Sequence, residues 1–338
     1  MVEFTLRGLR HTLPAGGHFA QPRKAGYEDA PAAELRALVA AIEGGRPWRE
    51  VIRDAYARPR PWLYAVVTDP RRTAFFGSVL PVSKGLALDV GSGWGQIARP
   101  LAASRPVVAL EPMPERMAFI RAAARQDGID DRLACLEADY LDVDFATRFA
   151  VICAIGVLEW VGAFQDTADP RDRQQAFLKK TRAELAPGGC LVLGIENRLG
   201  LKYLLGCPDD HLGVPDIACH EAGRAIELWR RATGGTLQCF TYSRDELTQL
   251  LRTAGYRQIE FFAAFPDYKL PVHIIPLRDG DAALDQFLAS GGLPLEYNGY
   301  NGEILDPAFQ TKLADRYREL AAAGTSGNHV PSFFVRAS

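Results

Sequence analysis

Apolar positions change their spacing twice along the chain. Residues 1–30 are rich in Gly, Pro and charge and hold no sustained period, which predicts an extended arm. From Ala30, the stretch APAAELRALVAAIEGG has helical apolar spacing and a stop at Gly44 and Gly45. A second helical region covers PWREVIRDAYARP and WLYAVVTD and is interrupted by Pro59 and Pro61. Residues 1–80 are therefore expected to form an arm and a helical cap or lid, ahead of a core at 81–338.

From Leu86 the pattern becomes regular: strand LALDVG, a helix near Gln96 to Ala103, strand VVALE, a helix from Pro114 to Arg125, and strands LACLEAD and AVICAIG. A helix from Arg171 to Leu185 and strand CLVLGIEN follow. Strands that alternate with helices predict right-handed crossovers and an α/β fold with a parallel sheet. The strands are apolar on both faces, as doubly covered strands must be. After Asn197 the pattern breaks into an insertion at about 198–242, with a helix around Glu221 to Ala232. It resumes with a helix from Ser243, where Glu246 three residues on fits a capping box, and strand QIEFFAAF. A second insertion, at about 267–331, carries two helical segments before a last strand, SFFVRA.

The turn GSGWGQ joins the first core strand to its helix. Glycines there let a backbone approach a ligand, and the helix N-terminus favours an anion. A dinucleotide fingerprint needs a third glycine where this chain has Gln96. The order Asp89-x-Gly91-x-Gly93-x-Gly95 instead resembles the first motif of the class I S-adenosylmethionine-dependent methyltransferases. Glu111 at the end of the second strand, Asp139 in LEADYLD, AIGVLEWV after the fourth strand, and the Pro-Gly-Gly turn of ELAPGGCLVLGIEN extend that resemblance from Leu86 to Asn197.

The resemblance implies a Rossmann-like seven-stranded sheet in the order 3-2-1-4-5-7-6, with insertions after strands five and six. It implies S-adenosylmethionine as cofactor, with the methionine end at Asp89, Gly91, Ser92, Gly93 and Gln96. Glu111, with Pro112 and Met113, would accept the ribose hydroxyls. Ala138, Asp139 and Tyr140 would meet the adenine, Ile155 and Gly156 would line the methionine end, and Tyr64 would cover the donor. The rival from another class is an NAD(P)-dependent oxidoreductase, against which Gln96 and Asp139 argue. A non-catalytic partner protein that binds the same donor is a third alternative.

Ligands of open α/β sheets bind beyond the carboxyl ends of the strands, so the acceptor is expected near Glu159, Trp160, Glu196 and Asn197. Glu196 and Asn197 are expected to hydrogen-bond it, and Lys202 or Tyr203 to close the site. Methyl transfer to a hydroxyl needs a base, and His211, in a polar loop and of near-neutral pKa, is the first candidate ahead of His220 and His273. Glu159 is assigned a structural role. The string IENRLGLKYLLGCPDDHLG, with FPDYKLP, is similar to methyltransferases linked to bacterial surface-polysaccharide and glycan biosynthesis. A sugar, glycan or small-molecule hydroxyl is therefore the expected acceptor, with N- or C-methylation of a natural product or peptide as the alternative.

Composition narrows the partners. The chain has 48% hydrophobic and 24% charged residues and a formal charge of -2. That balance gives no basic excess for a nucleic-acid surface. No apolar run reaches the roughly 20 residues needed to cross a bilayer, and the N-terminus lacks a secretory signal, so cytoplasmic location is expected, possible homodimer formation aside. Six cysteines without a CxxC pair read as reduced thiols. Cys207, Asp209, Asp210, His211, Cys219 and His220 crowd one loop, yet adjacent Cys219 and His220 are expected to diverge, and no metal is assigned.

Overall fold

A computed structural model describes residues 1–21, 28–82, 84–164, 169–292 and 305–338. They divide into two compact units. The first comprises Met1–Thr73, Leu80–Ile155 and Lys180–Leu191; the second comprises Ala74–Val79, Gly156–Lys179 and Val192–Ser338.

In the first unit, β1 (Val2–Leu6) and β2 (Leu9–Leu13) form an antiparallel hairpin, followed by β3 (His18–Ala20). The expected extended arm is thus corrected in part to strands, while residues 22–27 of it lie outside the described residues. The hairpin turns through Arg7 and Gly8, both at positive φ, as a two-residue connection requires. Helices α1 (Ala32–Glu43), α2 (Trp48–Tyr56) and α3 (Pro61–Thr68) follow. Gly44 ends α1 as expected, and Pro61 starts α3, where its missing N–H costs nothing.

Next come β4 (Ala87–Val90), α4 (Ala98–Ala102), β5 (Val107–Leu110), α5 (Pro114–Asp127), β6 (Leu133–Glu137), β7 (Val143–Phe145) and β8 (Phe149–Ile155). Every residue of β4, β5 and β6 is buried. Burying each large aliphatic side chain there contributes about 1.5–3 kcal/mol. The strand order is β3-β6-β5-β4-β8, continuing to β9 (Leu185–Glu196), and the pairs β3–β6, β6–β5, β5–β4 and β4–β8 are parallel. Separately, β7 pairs with β1. Helix α6 (Pro170–Glu184) and β9 have residues in both units.

The front helices are not a separate cap. Leu35, Val39, Ile42, Trp48, Val51, Ile52 and Tyr56 share one apolar cluster with Trp94, Phe119 and Ala123 of α5 and the glycine turn. Trp48 is core, and its Nε1 donates to Asp127 Oδ1 at 2.9 Å.

The second unit contains α7 (Leu201–Leu204), α8 (Ala222–Thr233), α9 (Arg244–Thr253), β10 (Ile259–Phe265), β11 (His273–Pro276), α10 (Ala282–Ala289), α11 (Pro307–Ala322) and β12 (Ser332–Ala337). Its strand order is β9-β12-β10-β11, with β10 antiparallel to both neighbours. Ser243 and Glu246 form the expected capping box at α9. Neither β3 nor β11 was among the expected strands. Residues 293–304 of the second expected insertion lie outside the described residues.

Candidate functional site

The glycine turn of the first unit is built as its sequence demands. Gly91, Gly93 and Gly95 have φ of 64°, 56° and 73°, a region that side chains with a Cβ enter at a cost. A Cβ on Gly95 would stand 3.0 Å from Ile120 and 3.2 Å from Arg99 Nε, whereas one on Gly93 would meet the end of Gln96 at 3.5 Å and the Gly91 carbonyl at 3.9 Å, both ordinary contacts. Gly95 is there for packing, and Gly93 faces space that a ligand backbone approach needs. Trp94 N–H donates to Gln96 Oε1 at 2.9 Å, so the residue that replaces the dinucleotide glycine braces the turn instead. The Trp94 indole turns inward, donates to Asp29 Oδ2 at 3.0 Å and lies edge-on to Tyr56 and Phe119.

Glu111 is buried and ties the turn to α5. Its Oε2 accepts from Gly93 N–H at 2.8 Å and its Oε1 from Met113 N–H at 3.0 Å. Each carboxylate oxygen keeps a second lone pair, which suits two ribose hydroxyls. Asp89 is buried, its Oδ2 has no partner, and burial pushes its carboxyl up to about 7. An orphaned acceptor beside a glycine cradle fits a donor that ends in an ammonium group. Ser92 Oγ donates to the Asp89 carbonyl at 2.9 Å, and Met113 caps α5 behind Pro112.

Asp139 Oδ1 caps the short turn after β6 by accepting from Leu141 N–H at 2.9 Å, beside buried Ala138. The Tyr140 hydroxyl donates to Glu184 Oε2 at 2.6 Å, so this side chain is a structural tie. Ile155 is buried at the end of β8. Tyr64 is half-buried against the apolar cluster that holds Trp94.

The second unit holds a buried charged cluster drawn from four stretches of chain. Gly156 has φ 74°, and a Cβ there would be 2.7 Å from the Tyr268 hydroxyl, so glycine makes room for Tyr268. That hydroxyl donates to Glu159 Oε1 at 3.2 Å. Glu159 is fully buried, and its Oε2 has no partner. His211 Nε2 lies 2.8 Å from Glu196 Oε2 and 3.6 Å from Glu159 Oε1, with the Trp160 ring edge-on to the imidazole at 5.2 Å. Lys269 Nζ donates to the other oxygen of Glu196 and stands 3.6 Å from Asp210 Oδ2. Asp210 is itself paired with Lys202 at 2.9 Å and accepts from the Tyr203 hydroxyl at 3.0 Å. Asp209 spends Oδ1 on the N–H groups of His211 and Leu212, both at 2.8 Å.

Protonation follows from these partners. Burial pushes Glu159 up to about 7, with the neighbouring Glu196 charge adding to it. Burial also acts on Glu196, yet His211 and Lys269 outweigh it and hold that carboxyl well below the usual range. Burial alone would depress His211, but Glu196 and Glu159 raise it to about 9. Near neutral pH the pair is thus an imidazolium and a carboxylate, and Glu159 is the group poised between forms.

This alters four expectations. His211 is already protonated by its pairing with Glu196, which moves the base role away from it. Glu196 has both oxygens engaged and acts as the anion that two cations need. The Asn197 amide donates to the carbonyls of Asn328 and Val330, both at 2.9 Å, and its Oδ1 accepts from Leu199 N–H at 3.0 Å, so it braces backbone rather than an acceptor. Glu159, read from sequence as structural, is the group the cluster leaves chemically open. No helix of the described residues is long and apolar enough to cross a membrane.

A cavity in the same unit is lined by Arg198, Asp209, His220, Cys239, Phe240, Tyr242 and Glu246, among others.

A glycine turn after the first core strand, a buried glutamate that clamps it, and parallel strands around it define an α/β domain of Rossmann-like form. Residues 87–189 match the family model described as a methyltransferase domain. That match places a methyltransferase domain over the stretch that holds the glycine turn, Glu111 and Asp139. No curated protein matches the chain. Among solved structures it is similar to a cyclopropane synthase from Mycobacterium tuberculosis, at 19% identity and TM-score 0.43, over 79% of this chain and 83% of that one. It is also similar to a methyltransferase from Geobacter sulfurreducens in complex with S-adenosyl-L-homocysteine, at 14% identity and TM-score 0.42, over 86% and 97%. A third is the CcbJ methyltransferase from Streptomyces caelestis, at 20% identity and TM-score 0.42, over 60% and 83%.

Proposed function

We propose that the protein transfers a methyl group to a hydroxyl oxygen of a sugar or other small, diffusible molecule in the cytoplasm, with Glu159 taking the hydroxyl proton. The bound donor supplies an electrophilic methyl carbon on sulfur. Gly91, Gly93 and Asp89 hold its methionine end, and Glu111 fixes its ribose, so these groups orient the donor and do not themselves react.

The single observation that carries the acceptor chemistry is Glu159. It is a wholly buried carboxyl with one oxygen anchored by Tyr268 and the other unpartnered, in a cluster whose two nearest cations are already matched to Glu196. A base with a pKa near the working pH is the efficient kind, and burial sets Glu159 there, at about 7. The new C–O bond forms as the C–S bond breaks, and the hydroxyl proton moves to Glu159 Oε2. Arg198, Glu246, Phe240 and Tyr242 of the nearby cavity offer the hydrogen bonds and ring faces that sugar hydroxyls and C–H faces use.

The test is turnover with labelled S-adenosylmethionine against a panel of sugars and small alcohols. Glu159→Gln is expected to lower kcat by roughly 10²–10⁴-fold. Its affinity for S-adenosylhomocysteine should stay within about twofold of the parent. The parent rate should rise as pH climbs through about 7, where Glu159 loses its proton. Full activity in Glu159→Gln, or a flat profile there, would overturn the assignment of the base. Methylation only of amines would overturn oxygen as the acceptor.

A further inference from the structure

The turn ahead of α8 brings three side chains of different donor chemistry to one point. Asp216 Oδ1 lies 3.0 Å from His220 Nε2 and 3.6 Å from Cys219 Sγ, and the three atoms all fall within 4.8 Å of one another. From sequence, adjacent Cys219 and His220 should diverge. They converge because Asp216 sits at φ 57°, in the left-handed region, and the turn closes with His220 N–H donating to the Ile217 carbonyl at 3.2 Å. That wraps the chain around the Asp216 carboxylate.

The backbone beneath is held from outside the turn. Arg198 Nη1 donates to the Cys219 carbonyl at 2.9 Å, and the same guanidinium is tied to both oxygens of Glu246. Glu221, next in sequence, spends its carboxylate capping α8. The three atoms therefore sit on a braced frame, with Asp216 and His220 open to solvent.

Their separations have a chemical meaning. Zinc bonds of about 2.0 Å to oxygen and nitrogen and about 2.3 Å to sulfur place tetrahedral ligand atoms about 3.3 Å (O to N) and about 3.5 Å (O to S) apart. The observed 3.0 and 3.6 Å need shifts of only a few tenths of an ångström. A thiol with an imidazole selects zinc over magnesium or calcium, which want oxygen ligands.

We propose that Asp216, Cys219 and His220 form a zinc-binding tripod on the surface of the second unit, with solvent in the fourth position. Binding replaces the two hydrogen bonds to Asp216 by metal bonds. The Cys219 thiol gives up its proton to solvent as the Zn–S bond forms, neutral His220 binds through Nε2, and no electron changes hands.

Glu159, Glu196 and His211 also bring ligand atoms together. There, Lys269 and the proton on His211 already balance Glu196, so a cation would meet positive charge. At the exposed turn the nearby Arg198 guanidinium is matched by Glu246 and touches the Cys219 backbone carbonyl.

The experiment is titration of the reduced, metal-free full chain with Co²⁺ as a spectroscopic probe, then displacement by Zn²⁺ against a chromophoric chelator. One equivalent of Co²⁺ should give a thiolate charge-transfer band together with the visible bands of a tetrahedral site. Cys219→Ser should abolish the charge-transfer band. His220→Ala should weaken Zn²⁺ binding by more than about tenfold, since loss of even an outer partner costs about 10–100-fold. Cys239→Ser and Glu159→Gln should bind as the parent does. Absence of a thiolate band, unchanged binding in Cys219→Ser, or loss of binding in Glu159→Gln would each overturn the proposal.

Discussion

The two units recognise charge and polarity by opposite means. In the first, the side proposed to hold the donor is made of backbone: three glycines at positive φ, with the Gly93 amide and the Met113 amide at the start of α5 received by Glu111. In the second, side chains from positions 159, 196, 211 and 269 meet in a buried cluster where each charge leans on the next. A backbone cradle is specified by residue type at fixed spacing, so it is local. A charge cluster is specified by where distant segments come to rest, so removing one member exposes the others.

The sharpest way to break that contrast is Lys269→Met. It leaves Glu196, 1% exposed, with His211 as its remaining cationic partner. Breaking a buried pair by removing one partner typically costs about 3–5 kcal/mol, and because His211 remains on Glu196 urea unfolding should show a loss toward the lower end of that range. A change under about 1 kcal/mol would mean the cluster is far better solvated than its burial indicates. S-adenosylhomocysteine affinity, measured well below the unfolding transition, should hardly move.

The complementary change is Glu111→Ala in the first unit. It strips partners from the N–H groups of Gly93 and Met113 and removes the carboxylate proposed to accept the ribose. Hydrogen bonds to a charged group contribute about 1.5–3 kcal/mol, so donor affinity by calorimetry should fall by roughly 10–100-fold. Unaltered affinity would detach the glycine turn from donor binding.

A smaller effect on the same side is expected from Gly95→Ala. A left-handed backbone costs a residue with a Cβ about 1–2 kcal/mol, and the new atom must also displace Ile120. Thermal unfolding should report the loss. Gly93→Ala carries the same backbone cost without the clash, so its stability should lie between those of the parent and Gly95→Ala, whereas its donor affinity should suffer more.

Sequence made the first side legible and hid the second. The runs from Leu86 to Asn197, the Gly44 stop and the Ser243–Glu246 capping box follow from local propensity and period, and the folded chain contains them. The short strands β1 to β3 escaped because VEFTL and HFA are brief, and it is pairing, of β1 with β2 and β7 and of β3 with β6, that makes them strands. Trp94 reads as a variable position of the turn, yet it anchors the turn to the front helices. Asn197 looked like a ligand group because it follows a strand, and nothing local shows that its amide meets residues 328 and 330. Glu159 looked structural for the same reason: burial and a missing partner are properties of the fold.

The finest test separates Glu159 from its cluster by linkage. Its carboxyl sits at about 7 when folded and near 4.5 when unfolded, so between those values the folded chain holds the extra proton. Stability then falls as pH rises from about 4.5 to 7. His211, raised from 6.5 to about 9, contributes stability that is present below 6.5 and lost as pH rises through about 9, so the two slopes have the same sign. Asp89, raised by burial to about 7, adds a third slope of that sign in the other unit. Glu159→Gln removes only the first. Its urea midpoint should be flatter than the parent's from pH 5 to 7, and its relative stability should gain about 2 kcal/mol over that interval. Parallel curves would show that Glu159 keeps an ordinary carboxylate in the folded chain, and the contrast between a backbone-built and a charge-built side would lose its proton-accepting member.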